Sequence, residues 1–81
     1  GKMTSIVYLS PREDIPANHH VAVVIHKDER GVEKGYFYDS KEKDFGGSGP
    51  FDWLMKEVLD RATRYATERG ISTVVVRAKR D

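Results

Sequence analysis

Residues 20–26 read H-V-A-V-V-I-H, a run in which consecutive positions, not alternate ones, are apolar. Successive side chains of a strand point to opposite faces, so Val21, Val23 and Ile25 point one way and Ala22, Val24 and His26 the other. A sheet built on such a strand is apolar on both sides. Ile71 to Ala78 (I-S-T-V-V-V-R-A) repeats the feature, with Val74 and Val76 set against Val75 and flanked by Thr73 and Arg77. Any fold for this chain has to cover two faces of one sheet.

The remaining elements supply little cover. Thr4 to Leu9 (T-S-I-V-Y-L) is β-branched and aromatic and stops at Ser10-Pro11, which reads as a strand. Ser10-Pro11-Arg12-Glu13 has the spacing of a capping box, and Pro16 limits it to one helical turn. Glu33 to Asp39 (E-K-G-Y-F-Y-D) returns after the polar turn Lys27-Asp28-Glu29-Arg30-Gly31, giving a hairpin. A charged, then glycine-rich, stretch over residues 40–49 precedes the one long helix, with Pro50 at its start and Ser48 or Gly49 at its cap. At 100° per residue Phe51, Leu54, Met55, Val58, Leu59, Ala62, Tyr65 and Ala66 fall within an arc of about 140°, and Gly70 ends the helix. The expected fold is α+β, in the order β-β-β-α-β. Its sheet is four-stranded and mixed, with the amphipathic helix on one face. A meander followed by a right-handed crossover gives the spatial order 3-2-1-4.

That arrangement leaves one face without a helix. Loops 10–19 or 40–49 could lie over it, but an apolar sheet face is also how proteins meet partners. The expectation is a non-enzymatic self-association or protein–protein interaction module, a homodimer, with Val24, Tyr36 and Tyr38 at the centre of the contact. Trp53 falls opposite the apolar arc, among Lys56, Asp60 and Arg64, and is the second anchor expected there.

Composition bounds the alternatives. The 81 residues suffice for one domain, expected over 3–81, with Gly1 and Lys2 read as a tag remnant. A domain of this size buries roughly 60–65% of its unfolded surface, so association is a natural source of extra stability. With no cysteine, neither disulfides nor thiolate-bound zinc can supply it. The net charge of +1 is not that of a protein that coats DNA, and no run is apolar enough to span a membrane. The expected location is the cytoplasm.

Lys34-Gly35-Tyr36-Phe37-Tyr38 resembles the start of the aromatic ribonucleoprotein motif of RNA-recognition domains, whose rings stack on bases. The resemblance covers five residues and implies single-stranded nucleic-acid binding by Tyr36 and Tyr38 with Lys34 and Lys41. Phe37, Asp39 and Lys41 depart from the motif, and Asp39 is expected to repel phosphate. The element order is also similar to the first half of the ribonuclease H-like fold, whose carboxylates bind metal. Of those positions only Glu57 carries an acid here, too little for two Mg²⁺ ions.

Gly46-Gly47-Ser48-Gly49-Pro50 ahead of a helix has the makings of an anion loop at Gly47, Ser48 and Gly49, but it matches neither a Walker A nor a dinucleotide fingerprint. His19 and His20 point to opposite faces, and His20 and His26 stand roughly 20 Å apart along a strand, so no metal is expected. No nucleophile–base pair is evident. No cofactor is expected, and an enzyme site would have to be built from loops.

Overall fold

The computed structural model describes residues 4–41 and 52–79. Five strands and one helix follow one another as β1 (Ser5–Tyr8), β2 (Val21–Lys27), β3 (Glu33–Asp39), β4 (Trp53–Leu54), α1 (Met55–Arg69) and β5 (Thr73–Ala78). The class is α+β with one mixed sheet and one helix, as the sequence predicts. The sheet order is β1-β5-β2-β3-β4, which corrects the expected four strands and their arrangement.

Two differences account for the correction. β5 does lie parallel to β1, but it inserts between β1 and β2 and is parallel to both. The first two strands are therefore not a hairpin. Burial explains the choice: Val21 to Val24 and Val74 to Val76 are all at most 5% exposed, whereas all four residues of β1 are exposed. The strands that are apolar on both faces take two of the three positions flanked by neighbours, and β1 is displaced to the rim. The second difference is β4. Trp53 and Leu54 are extended and pair with Gly35 and Lys34, so the helix begins at Met55. The expected start at Pro50 and the place of Phe51 in its arc lie outside the described residues.

The β2–β3 hairpin forms as predicted, in a register that runs from Val21 opposite Asp39 to Lys27 opposite Glu33. Asp28 organises its turn. Its carboxylate accepts from the backbone N–H of Arg30 at 2.8 Å and of Val32 at 3.0 Å, and its Oδ2 lies 3.3 Å from Lys34 Nζ. Those backbone donors, the Val32 N–H above all, hold the Asp28 carboxyl below its ordinary range.

One face of α1 meets the sheet. Val58, Ala62 and Ala66 are fully buried against Val21, Val23, Phe37, Val74 and Val76, with Met55, Leu59 and Tyr65 at the margin. The helix can come this close because β3 carries glycine at position 35. A Cβ there would stand 3.3 Å from Val58 Cγ1 on the helix, besides 2.7 Å from Ile25 Cδ1 and 2.8 Å from the Val24 carbonyl oxygen on β2. Gly70 ends the helix at a φ of 70°, and the N–H of Ile71 returns to the Ala66 carbonyl at 2.8 Å.

The opposite face has no helix, yet Ala22, Val24 and Val75 are at most 1% exposed. The chain between β1 and β2 joins two strands that run the same way, so it has to travel back along the sheet and past β5. Within it, the Ser10 N–H bonds to Glu13 Oε1 at 2.9 Å and the Glu13 N–H to the Ser10 carbonyl at 3.1 Å. The expected capping box is thus half made: Glu13 reaches back, but the backbone of Ser10, not its hydroxyl, accepts.

Candidate interaction surface

The sheet presents three places where function could reside. The first is the face away from the helix. Along β3 the residues Lys34, Tyr36 and Tyr38 share this face, beside Val24, His26 and Arg77 of the neighbouring strands. Val24 is 1% exposed and has no area to give to a partner. Tyr36 and Tyr38 are half-buried. Arg77 crosses the middle strand diagonally and donates from Nη2 to the Tyr38 hydroxyl at 3.0 Å, so the pair lies over the valines beneath. Lys34 is held by Asp28, and Lys41 stands exposed past the end of β3. Asp39 points to the helix side. The expected clash between Asp39 and a phosphate on this face therefore does not arise.

Asp39 is instead the centre of a buried polar junction. It is 5% exposed, and its carboxylate accepts three hydrogen bonds: from His19 Nε2 at 2.6 Å, the Lys41 N–H at 3.0 Å and the Tyr65 hydroxyl at 3.2 Å. Burial alone would push the carboxyl up. The Lys41 amide, then His19 and Tyr65, outweigh it and hold the group below its ordinary range. With its oxygens committed to residues from three parts of the fold, the carboxylate works as a tie between β3, the entry to β2 and α1. Next to it, the buried ring of His20 donates from Nδ1 to the Asn18 carbonyl at 2.8 Å, and the Ser40 hydroxyl accepts from the His20 N–H at 2.9 Å. No local pattern marks this junction, because His19, Asp39 and Tyr65 are far apart in the chain.

The second place is the β4 corner. Trp53 lies in β4 ahead of the helix, so it does not stand on the helix's polar side as its helical phase predicts. Its ring stacks on Phe37 with centroids 6.0 Å apart, and the Arg61 guanidinium covers it at 4.8 Å. It is half-buried and packs on the core. Leu54, placed on the buried arc by its helical phase, is 59% exposed and shares a shallow concavity with Lys56, Glu57 and Asp60.

The third place is the rim at β1. Ile6 is 42%, Val7 40% and Tyr8 62% exposed. Among the described residues the helix packs on β2, β3, β4 and β5 and stops short of β1, and Thr67 Oγ1 lies 3.0 Å from Thr4 Oγ1 just ahead of that strand. The Ser5 N–H bonds to the Ser72 carbonyl and the Leu9 N–H to the Val76 carbonyl, both at 2.9 Å. By strand alternation the N–H and C=O groups of Ile6 and Tyr8 point away from the sheet. Here exposed apolar side chains and outward-facing backbone groups occur together.

The loop residues Gly47, Ser48 and Gly49 lie outside the described residues. Among the described residues no three His, Asp or Glu side chains group as a metal site would need, and no helix is long and apolar enough to cross a membrane. Compared with family models, curated proteins and solved structures, the chain matches none of them.

Proposed function

We propose that the protein is a non-enzymatic interaction module that associates with a second copy of itself through the rim of its sheet at β1. The observation that carries this reading is the exposure of Ile6, Val7 and Tyr8 on a strand that, among the described residues, is bonded on one side only. Sheets ordinarily protect such an edge with charge, proline or a covering segment, and an unprotected one is a template for another strand. The partner surface first expected around Val24, Tyr36, Tyr38 and Trp53 moves to β1 in this reading, since Val24 is enclosed and Trp53 is spent on the core. Light scattering over a range of protein concentrations and two salt levels tests it. A concentration-dependent dimer that ignores salt is the expected result, and a monomer throughout would overturn the proposal.

A second reading keeps single-stranded nucleic acid as the ligand. It is favoured by one observation: Tyr36, Tyr38, His26 and Arg77 share a face from which Asp39 is turned away. Binding of this kind weakens steeply with salt. Titration with a labelled single-stranded oligonucleotide at two salt levels separates the readings, because the β1 contact has no charged residue to screen.

A further inference from the structure

Resting on the self-association proposed above, the geometry points to one mode of pairing. We infer that two copies join β1 to β1 antiparallel, with Val7 facing Val7 of the second copy across a two-fold axis, so that two five-stranded sheets become one. Three features of the edge lead there.

The first is the direction of its free backbone groups. In an antiparallel pair, residues whose N–H and C=O face the partner stand opposite one another and exchange two hydrogen bonds. On β1 those residues are Ile6 and Tyr8. Ile6 opposite Tyr8 of the second copy, and Tyr8 opposite its Ile6, gives four bonds and puts Val7 on the axis as a non-hydrogen-bonded pair. Moving the register by two residues sets Ile6 against itself and Tyr8 against Thr4, or Tyr8 against itself and Ile6 against Ser10. Either slip trades an apolar pairing for a polar one.

The second feature is what the side chains meet. Opposite residues of an antiparallel pair point to the same face. Ile6 and Tyr8 lie on the helix side, opposite Val74 and Val76 on β5, and are exposed because α1 stops short of them. The pairing lays each Tyr8 ring against Ile6 of the other copy, an aromatic against a β-branched residue, on the floor between the two helices. Val7 meets Val7 on the other face. No Lys, Arg, Asp or Glu occurs from Thr4 to Ser10, so two copies approach this edge without like-charge repulsion.

The third feature is the other edge. β4 has two residues and adjoins Lys56, Glu57 and Asp60. Pairing β1 of one copy with β4 of the next would form few bonds and leave an unpaired edge at each end, building an open chain of molecules. β1 with β1 closes after two copies.

The chain has no cysteine, so a single introduced thiol reports the register. Opposite residues of a non-hydrogen-bonded pair have Cα atoms about 4.5 Å apart, inside the range of about 4.4–6.8 Å that a disulfide needs. With oxidised glutathione as oxidant, the full chain carrying Val7→Cys should crosslink to a covalent dimer at least tenfold faster than Glu29→Cys at the exposed hairpin tip. Ile6→Cys and Tyr8→Cys should stay near the Glu29→Cys rate, since each stands about 8 Å from its own copy in this register. A dimer by light scattering whose Val7→Cys form crosslinks no faster than Glu29→Cys, or more slowly than Tyr8→Cys, would overturn the pairing and leave self-association standing. Amide exchange on the unsubstituted protein gives a reading free of any folding defect in the variants. The Ile6 and Tyr8 amides should gain at least tenfold protection from dilute to concentrated solution, while Val7, already bonded to β5, should not change. Equal protection at all concentrations would overturn the inference.

Discussion

The two rims of this sheet are made of similar material and finished differently. At β4 the aromatic is pinned by the core and the leucine is not: Trp53 stacks on Phe37 beneath the Arg61 guanidinium, and exposed Leu54 stands among Lys56, Glu57 and Asp60. The strand ends after two residues because the chain turns into α1. At β1 an isoleucine, a valine and a tyrosine stand exposed on four residues of regular strand, with no charge among them. One rim is short, charged and anchored, which is how edges avoid unwanted pairing; the other is longer, neutral and unfinished. The difference teaches that apolar content does not by itself mark a binding surface. Trp53, the residue most often found at hot spots, belongs to the anchored rim, and the lesser apolar side chains of β1 form the available one.

Replacing residues at each rim should pull stability and association apart. The largest effect is expected from Trp53→Ala, which removes the stack on Phe37 and the seat of Arg61. Unfolding in urea should show a loss of about 3 kcal/mol, toward the low end for an aromatic because the ring is half-buried. Association of the folded fraction should persist. Asp39→Asn comes next, at about 2 kcal/mol, because three donors lose a charged acceptor in a buried site.

The same substitution should alter the response to acid. The folded Asp39 carboxyl is held below its ordinary value of 3.8, so its contribution is complete above that value and is lost as pH falls through the lower folded one. Melting temperatures measured from pH 6 downward should fall less steeply for Asp39→Asn than for the unsubstituted chain. Some acid sensitivity should remain, since the Asp28 carboxyl in the hairpin turn is lowered too.

At the other rim Ile6→Lys should weaken dimerisation at least tenfold, about 1.4 kcal/mol, by setting a charge where two copies meet. Its effect on monomer stability should stay within about 0.5 kcal/mol, as for other exposed positions. Sedimentation equilibrium reads the first quantity and urea unfolding the second. The smallest effect is expected from Leu54→Lys, with both quantities unchanged within error. Loss of the dimer on Leu54→Lys but not on Ile6→Lys would reverse the roles of the rims.

Local chemistry alone made the principal strands legible. Runs of β-branched and aromatic residues bounded by turn residues located β1, β2, β3 and β5, Gly70 marked the end of the helix, and the arc through Val58, Ala62 and Ala66 picked out its buried face. These features depend on neighbours within a few residues. The two-residue β4 was not legible, because W-L-M reads as the first turn of a helix until Gly35 and Lys34 are there to pair with it. The three consecutive valines of β5 did mark it as a strand covered on both sides. Where it lay was hidden by the assumption that β1 and β2, adjacent in the chain, are adjacent in the sheet.

The sequence by itself determined that this chain forms an α+β domain with one amphipathic helix and a sheet that has to be covered twice. Periodicity and turn chemistry act at short range, and outside the two residues of β4 no distant contact overrides them. Only the tertiary structure decided which strands lie in the middle, which tyrosines are half-buried and which exposed, and that Asp39 gathers His19 and Tyr65. Those outcomes depend on competition among strands for a limited number of covered positions. β5 and β2 win that competition because they have apolar side chains on both faces to bury. β1 has as many bulky apolar residues as β5 but sits beyond the reach of α1, and its exposure follows from that position.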